Sequence, residues 1–168
     1  MPTLSDVFRE LNGLKDRGTV RDYALGGATA MLFYAEPSRT YDVDVFVLLP
    51  TAGDSPLLSL DDLYAWAASR GFRSESEHIF IYGVPVQFLP AHNALAEEAV
   101  TTARTLDYDG VPVQVIGPDH LVALAFQAGG HKRRERAWQL LESGTVDRSA
   151  LKDLLEKHAI NVDIGDAN

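Results

Sequence analysis

The chain has no cysteine among its 168 residues. That removes disulfides, thiolate metal centres and cysteine nucleophiles together. It also lacks any apolar run of membrane-spanning length, which needs about 20 residues, so no membrane partner is expected. Positive charge is scarce: 15 Lys and Arg face 24 Asp and Glu, a formal net charge of −9. That balance disfavours general adhesion to nucleic acid but leaves room for a local basic patch. The segment Met1 to Arg9 is polar, mixed in charge and without the pattern of a secretory signal, so the cytoplasm is the expected compartment.

What is present is globular in character. Hydrophobic residues make up 46% and charged residues 23%, an ordinary balance for a packed domain. The length suits one domain better than two. The expectation is a single domain over 1–168, with a core over 20–116 and C-terminal helices over 118–158. Strands with helices before, between and after them indicate an α/β (α+β) fold, a mixed sheet flanked by helices.

Taken in order, Thr3 or Ser5 can cap a first helix to Lys15 with Val7, Leu11 and Leu14 on one face. Ser59 and Asp62 have the spacing of a capping box before a stripe of Leu63, Trp66 and Ala67, and Gly71 ends that helix. Strands follow over 72–75, 78–82 and 84–89, with a tight turn at Gly83. Asn93 caps a short helix to Val100. A hairpin over 104–116 turns at Asp109-Gly110. Two segments share a phrase, Gly83-Val84-Pro85-Val86-Gln87 and Gly110-Val111-Pro112-Val113-Gln114, and their prolines place sheet edges at those points. Pro118 opens a helix to Ala128 whose buried face is Leu121, Leu124, Ala125 and Ala128. Gly129-Gly130 breaks it. A helix over 131–142 and a last one from Asp147 or Ser149, carrying Leu151, Leu154 and Leu155, complete the chain. Tyr64, Trp66 and Trp138 fall at helical core spacing and read as packing.

One stretch organises the rest: Tyr23 to Leu49. An apolar run ends at Gly26-Gly27, a helix runs from Ala28 to Ala35, and Pro37 stops it. A β-branched strand then carries Asp42 and Asp44. Glycines opening a helix let backbone N–H groups approach an anion. Residues two apart on a strand face one side, so the two carboxylates project together while Val43 and Val45 project behind. A carboxylate pair suits a hard cation such as magnesium that also binds substrate phosphates. Taken alone, an Asp-x-Asp pair on a strand is more often a solvated face than a metal site.

Gly26-Gly27 followed by Arg39-Thr40-Tyr41-Asp42-Val43-Asp44 resembles the nucleotidyltransferase superfamily that includes DNA polymerase beta. Within it, that wording and Val115-Ile116-Gly117-Pro118-Asp119-His120-Leu121 are similar to the bacterial branch of AbiEii-type toxins. The resemblance implies transfer of a nucleoside monophosphate from a nucleoside triphosphate to an acceptor hydroxyl on RNA or protein, with an antitoxin as partner. It assigns Asp42 and Asp44 to Mg2+ and catalysis, and Gly26, Gly27, Arg39 and Lys132 to nucleotide phosphates. Arg39 can equally pair with Asp42.

Two departures from the family pattern matter. In the basic cluster His131-Lys132-Arg133-Arg134-Arg136, Arg133 stands where the family has an aspartate; the alternative is a solvated helix face. The third carboxylate of active members corresponds to Gln87, which is neutral and a weaker metal ligand. Either Glu75 or Glu77 replaces it, or it is dispensable, or the chain is a non-catalytic module of the same fold that binds nucleotide or a protein partner. The histidines show no metal spacing and receive no role.

Overall fold

The computed structural model of the protein describes residues 3–34, 42–50 and 59–165. Arg39 and Pro37, with the turn expected around them, lie outside the described residues, as do residues 51–58.

Helix α1 (Leu4–Asp16) starts where Thr3 donates its backbone N–H to Asp6 Oδ2 at 2.8 Å. It buries Val7, Phe8, Leu11 and Leu14. The central unit is β1 (Asp22–Gly26), α2 (Gly27–Met31) and β2 (Val43–Leu48). α2 ends earlier than the sequence predicts: Leu32, Phe33 and Tyr34 bond back to the carbonyls three residues before them, a tightening common at helix ends. After it come α3 (Asp61–Ser69), β3 (Arg73–Glu75), β4 (His78–Ile81), β5 (Val84–Pro90) and α4 (Ala94–Thr101). β6 (Arg104–Tyr108), β7 (Val111–Val115), α5 (Pro118–Ala128), α6 (His131–Glu142) and α7 (Arg148–Lys157) complete the order. The expected capping box at Ser59 gives way to a simpler contact, in which Ser59 Oγ accepts the Asp61 N–H at 3.1 Å and Leu60 takes the cap position.

The described strands form one mixed seven-stranded sheet in the order β3-β4-β5-β2-β1-β7-β6. β1 and β2 pair antiparallel at its centre. β5 joins β2 in parallel and β7 joins β1 in parallel. Each of these outer partners belongs to a tight hairpin. The two-residue turns Tyr82-Gly83 and Asp109-Gly110 have φ of 51° and 81°, and of 47° and 83°, the mirror-image turn that suits strand twist. β5 and β7 are interior strands, yet both prolines fall where one neighbour has no register: Pro85 precedes the β2 pairing, and Pro112 pairs only with Asp107 of β6.

β2 alternates as the pleat requires. Val43, Val45 and Val47 are buried on one side and Asp44 and Phe46 project from the other. α1 and α3 cover the valine side: Tyr23 Oη donates to Asn12 Oδ1 at 2.5 Å, and Leu63 meets Ile79 and Phe88. α4, α5 and α6 lie over the carboxylate side, with α7 packed on α5. One apolar cluster runs through both layers.

The burial stripe of α5 differs from the expected one. Val122, Ala123 and Phe126 are buried with Leu121, whereas Leu124 and Ala125 are half-buried and Ala128 is exposed. α5 is flanked by α4, α6 and α7, so its buried arc is rotated and the expected face lines an opening instead. Trp66 is buried against Phe72, but Trp138 is 38% exposed with only an edge contact to Phe126. Among the described residues no helix is long and apolar enough to cross a membrane.

Candidate active site

The opening under α5 is a cleft of about 690 Å³. Its floor is the polar face of the sheet. β1 ends at Gly26, and Gly27 turns with φ +55° to begin α2. A side chain at either position would displace a neighbour: a Cβ on Gly26 would lie 2.5 Å from the Phe46 ring, and one on Gly27 would lie 2.2 Å from Asp44 Oδ2. The glycine pair thus brings the β1–α2 backbone directly against a carboxylate. Thr29, in the same helix, donates from Oγ1 to the Asp42 carbonyl at 3.0 Å and anchors the start of β2.

Asp42 and Asp44 both line the cleft. Burial pushes the Asp44 carboxyl above the usual carboxylate range and the negative charge of Asp42 pushes it further, while Arg136, His78 and Arg133 pull it back. Across the sheet, Asp44 is in register with Gln87, and Gln87 with His78. Opposed residues share a face, so Gly26, Asp44, Gln87, His78 and Glu75 form one row over five strands. His78 Nε2 stands 3.4 Å from Asp42 Oδ2. His78 receives no role from the sequence because the histidines show no metal spacing; the register of three separate strands brings it here.

The opposite wall belongs to α6. Arg133, Arg136, Ala137 and Leu140 line the cleft, the i, i+3, i+4, i+7 stripe of one helix face. Lys132, the expected phosphate contact, is exposed and does not line the cleft. It sits about 100° round the helix from Arg133, and the stripe passes beside it. The arginine recorded in the sequence as a departure, Arg133, therefore faces the carboxylates together with Arg136. Glu75 and Glu77 do not supply a third acid. Glu75 shares the row but ends it on edge strand β3, three strands from Asp44, exposed and outside the cleft lining, and Glu77 lies on the other side of the sheet near Leu63 and Phe88.

Among the described residues no three His, Cys, Asp or Glu side chains gather closely enough to hold a metal unaided. The protein's own offer to a cation is the Asp42–Asp44 pair. Between the two walls the cleft is mainly apolar, with Met31, Phe46, Leu89, Leu121, Leu124 and Ala125. His92, Asn93 and Gln127 line it as well.

No protein-family model and no curated protein matches the chain by sequence. Solved structures do match it by shape. An antigenic nucleotidyltransferase-like protein from Paracoccidioides brasiliensis aligns with a TM-score of 0.56 at 19% identity, over 93% of this chain and 88% of that one. The antibiotic-resistance factor ANT(2'')-Ia, in solution, aligns at 0.55 and 14% identity over 93% and 92%. Its crystal structure in complex with adenylyl-2''-tobramycin gives 0.55 and 14% over 94% and 99%. A seven-stranded mixed sheet with its helical layers, superposed on these chains over nearly their whole length, gives this protein the nucleotidyltransferase fold.

Proposed function

We propose that the protein is a metal-dependent nucleotidyltransferase that moves a nucleoside monophosphate from a nucleoside triphosphate to an acceptor hydroxyl, releasing pyrophosphate. The observation that carries this reading is the meeting of Asp44 with the Gly27 backbone, beside Asp42 and opposite two arginines. The residues fit a divalent cation: two hard oxygen donors, Asp44 on β2 and Asp42 just before it, line one cleft, and burial with mutual repulsion already raises Asp44, a penalty that a cation relieves. When bound, Mg2+ supplies charge neutralisation at the phosphates and acidifies the attacking hydroxyl. The chain's own residues hold the nucleotide. The Gly26-Gly27 turn admits a phosphate close to the backbone, and Arg133 and Arg136 meet phosphate oxygens with forked donors. Those two arginines take the place assigned by resemblance to Lys132, and Arg39 remains a phosphate contact by resemblance alone. The acceptor class, RNA or a protein hydroxyl with an antitoxin partner, likewise rests on resemblance.

A second reading is favoured by one observation. Gln87 stands where a third carboxylate would face Asp44, which suits a module that binds nucleotide without turning it over. Calorimetry with Mg2+ and triphosphate tests the shared site: Asp42→Asn with Asp44→Asn should abolish metal-dependent binding, and unchanged affinity would refute both readings. Incubation with labelled triphosphates and candidate acceptors then separates them, because only an enzyme incorporates label.

A further inference from the structure

The cleft holds a second polar group, distinct from the carboxylates. Asn93 and Gln127 both line it, and Asn93 Nδ2 donates to Gln127 Oε1 at 3.1 Å. The polarity of this pair is dictated from outside the cleft. Asn93 caps α4, and its Oδ1 accepts the Ala96 N–H at 2.9 Å. A backbone N–H can only donate, so the oxygen of Asn93 is committed to the helix. Its NH2 must then be the group that meets Gln127, and an NH2 can meet only the Gln127 oxygen. With its oxygen held toward Asn93, Gln127 turns its NH2, a pair of donors, away from Asn93 as the end it offers a ligand. The helix cap thereby removes the usual ambiguity of an amide.

The pair is also well placed. From Gln87, beside Asp44, to Pro90 the strand β5 advances about 10 Å, and Asn93 stands beyond Pro90. Phe46, Leu89, Ala96 and Leu121 line the same cleft, an apolar seat for a flat ring. A nucleotide with its phosphates at the carboxylates directs its base toward the amides.

We propose, resting on the nucleotide reading above, that the cleft selects the base by its keto oxygen, taking guanine and uracil nucleotides over adenine and cytosine nucleotides. Guanine O6 and uracil O4 are acceptors, whereas adenine and cytosine carry amino donors at the same edge positions. Against the Gln127 NH2 a keto base is paired, and an amino base leaves two donors facing each other, a loss of about tenfold in affinity.

Calorimetry of GTP, UTP, ATP and CTP with Mg2+ tests this in the intact chain and two variants. The wild type should bind GTP and UTP about tenfold more tightly than ATP and CTP. Gln127→Glu keeps an oxygen for Asn93 and offers the base an acceptor, so the order should reverse. Asn93→Asp keeps the helix cap but cannot donate to Gln127; the Gln127 amide then turns its oxygen outward, and the order should again reverse. Equal affinities in the wild type, or an unchanged order in both variants, overturn base selection and leave the nucleotide site standing. Failure of all four triphosphates to bind any of the proteins overturns the nucleotide reading, and base selection with it.

Discussion

The hairpins β4–β5 and β6–β7 share the phrase Gly-Val-Pro-Val-Gln and the same turn geometry, yet their glutamines serve different ends. Gln114 is saturated locally: its Nε2 donates to Asp22 Oδ1 and its Oε1 accepts from Lys15 Nζ, both at 2.9 Å. It ties α1 to β1. Gln87 lies in register with Asp44 and His78 and faces the cleft. The phrase itself specifies the hairpin; the strand that receives each hairpin in parallel, β1 or β2, decides what its glutamine meets. Function here depends on the neighbour.

The largest effect should come from giving both hairpins the same acid. Gln87→Asp adds a third carboxylate beside Asp44, and transfer should rise from a low level by about 10²–10⁴-fold. Gln114→Asp sets a charge beside Asp22 and breaks a satisfied amide; it should leave transfer unchanged and cost about 1–3 kcal/mol of stability. A labelled-transfer assay and thermal melts on both variants make the comparison. A fast wild type slowed by Gln87→Asp would show that the third acid is dispensable.

A smaller separation is expected between glycines of the two regions. Gly110 in the β6–β7 turn and Gly27 both have positive φ, but a Cβ on Gly110 meets nothing within 4 Å. Each alanine should cost about 1 kcal/mol or more of backbone strain. Only Gly27→Ala also displaces Asp44, so only it should lose triphosphate binding. Calorimetry on the two variants, matched for melting temperature, checks this.

These contrasts also mark how far the sequence could be read. Turns, caps and periodicity announced the hairpins at Gly83 and Asp109-Gly110, the Asn93 cap, and the outward Asp44 between the buried valines of β2, because those signals are local; Asp42, expected on the same strand, falls just before it. Gln87 could be singled out beside the carboxylates only through the family resemblance. His78 could not, since its proximity to Asp42 depends on the order of β4, β5 and β2 in the sheet. Arg133 and Arg136 were visible as charges but not as a wall. Which side of α6 meets the cleft is set by where α5 packs, and the pattern of a basic helix does not say. The expected buried face of α5 was misread for the same reason: an apolar stripe looks alike whether it meets a core or an opening.

The smallest effect is alkaline and belongs to the Gln114 side. Tyr23 Oη has its pKa pushed up to about 12, first by burial, against the Gln114 N–H that lowers it, with the charges of Asp22 and Asp16 adding to the rise. A folded value above the ordinary one of about 10 means the stabilisation is complete below that pH and is lost as pH rises through the folded value. Melting temperature should fall over that window in the wild type. Tyr23→Phe, less stable at neutral pH for want of its bond to Asn12, should show a flatter alkaline slope.

The parallel pairings carry a consequence in time. The β3–β4, β4–β5 and β6–β7 hairpins each close over two residues, so each can form by itself, quickly and early. Joining β5 to β2 and β7 to β1 must first close long loops, an entropic cost met before the contacts return anything. The row from Gly26 to His78 exists only once that joining is done. By this order of contacts the site is completed after its hairpins, and a chain arrested one step short would have its hairpins, much of its secondary structure, and no assembled cleft.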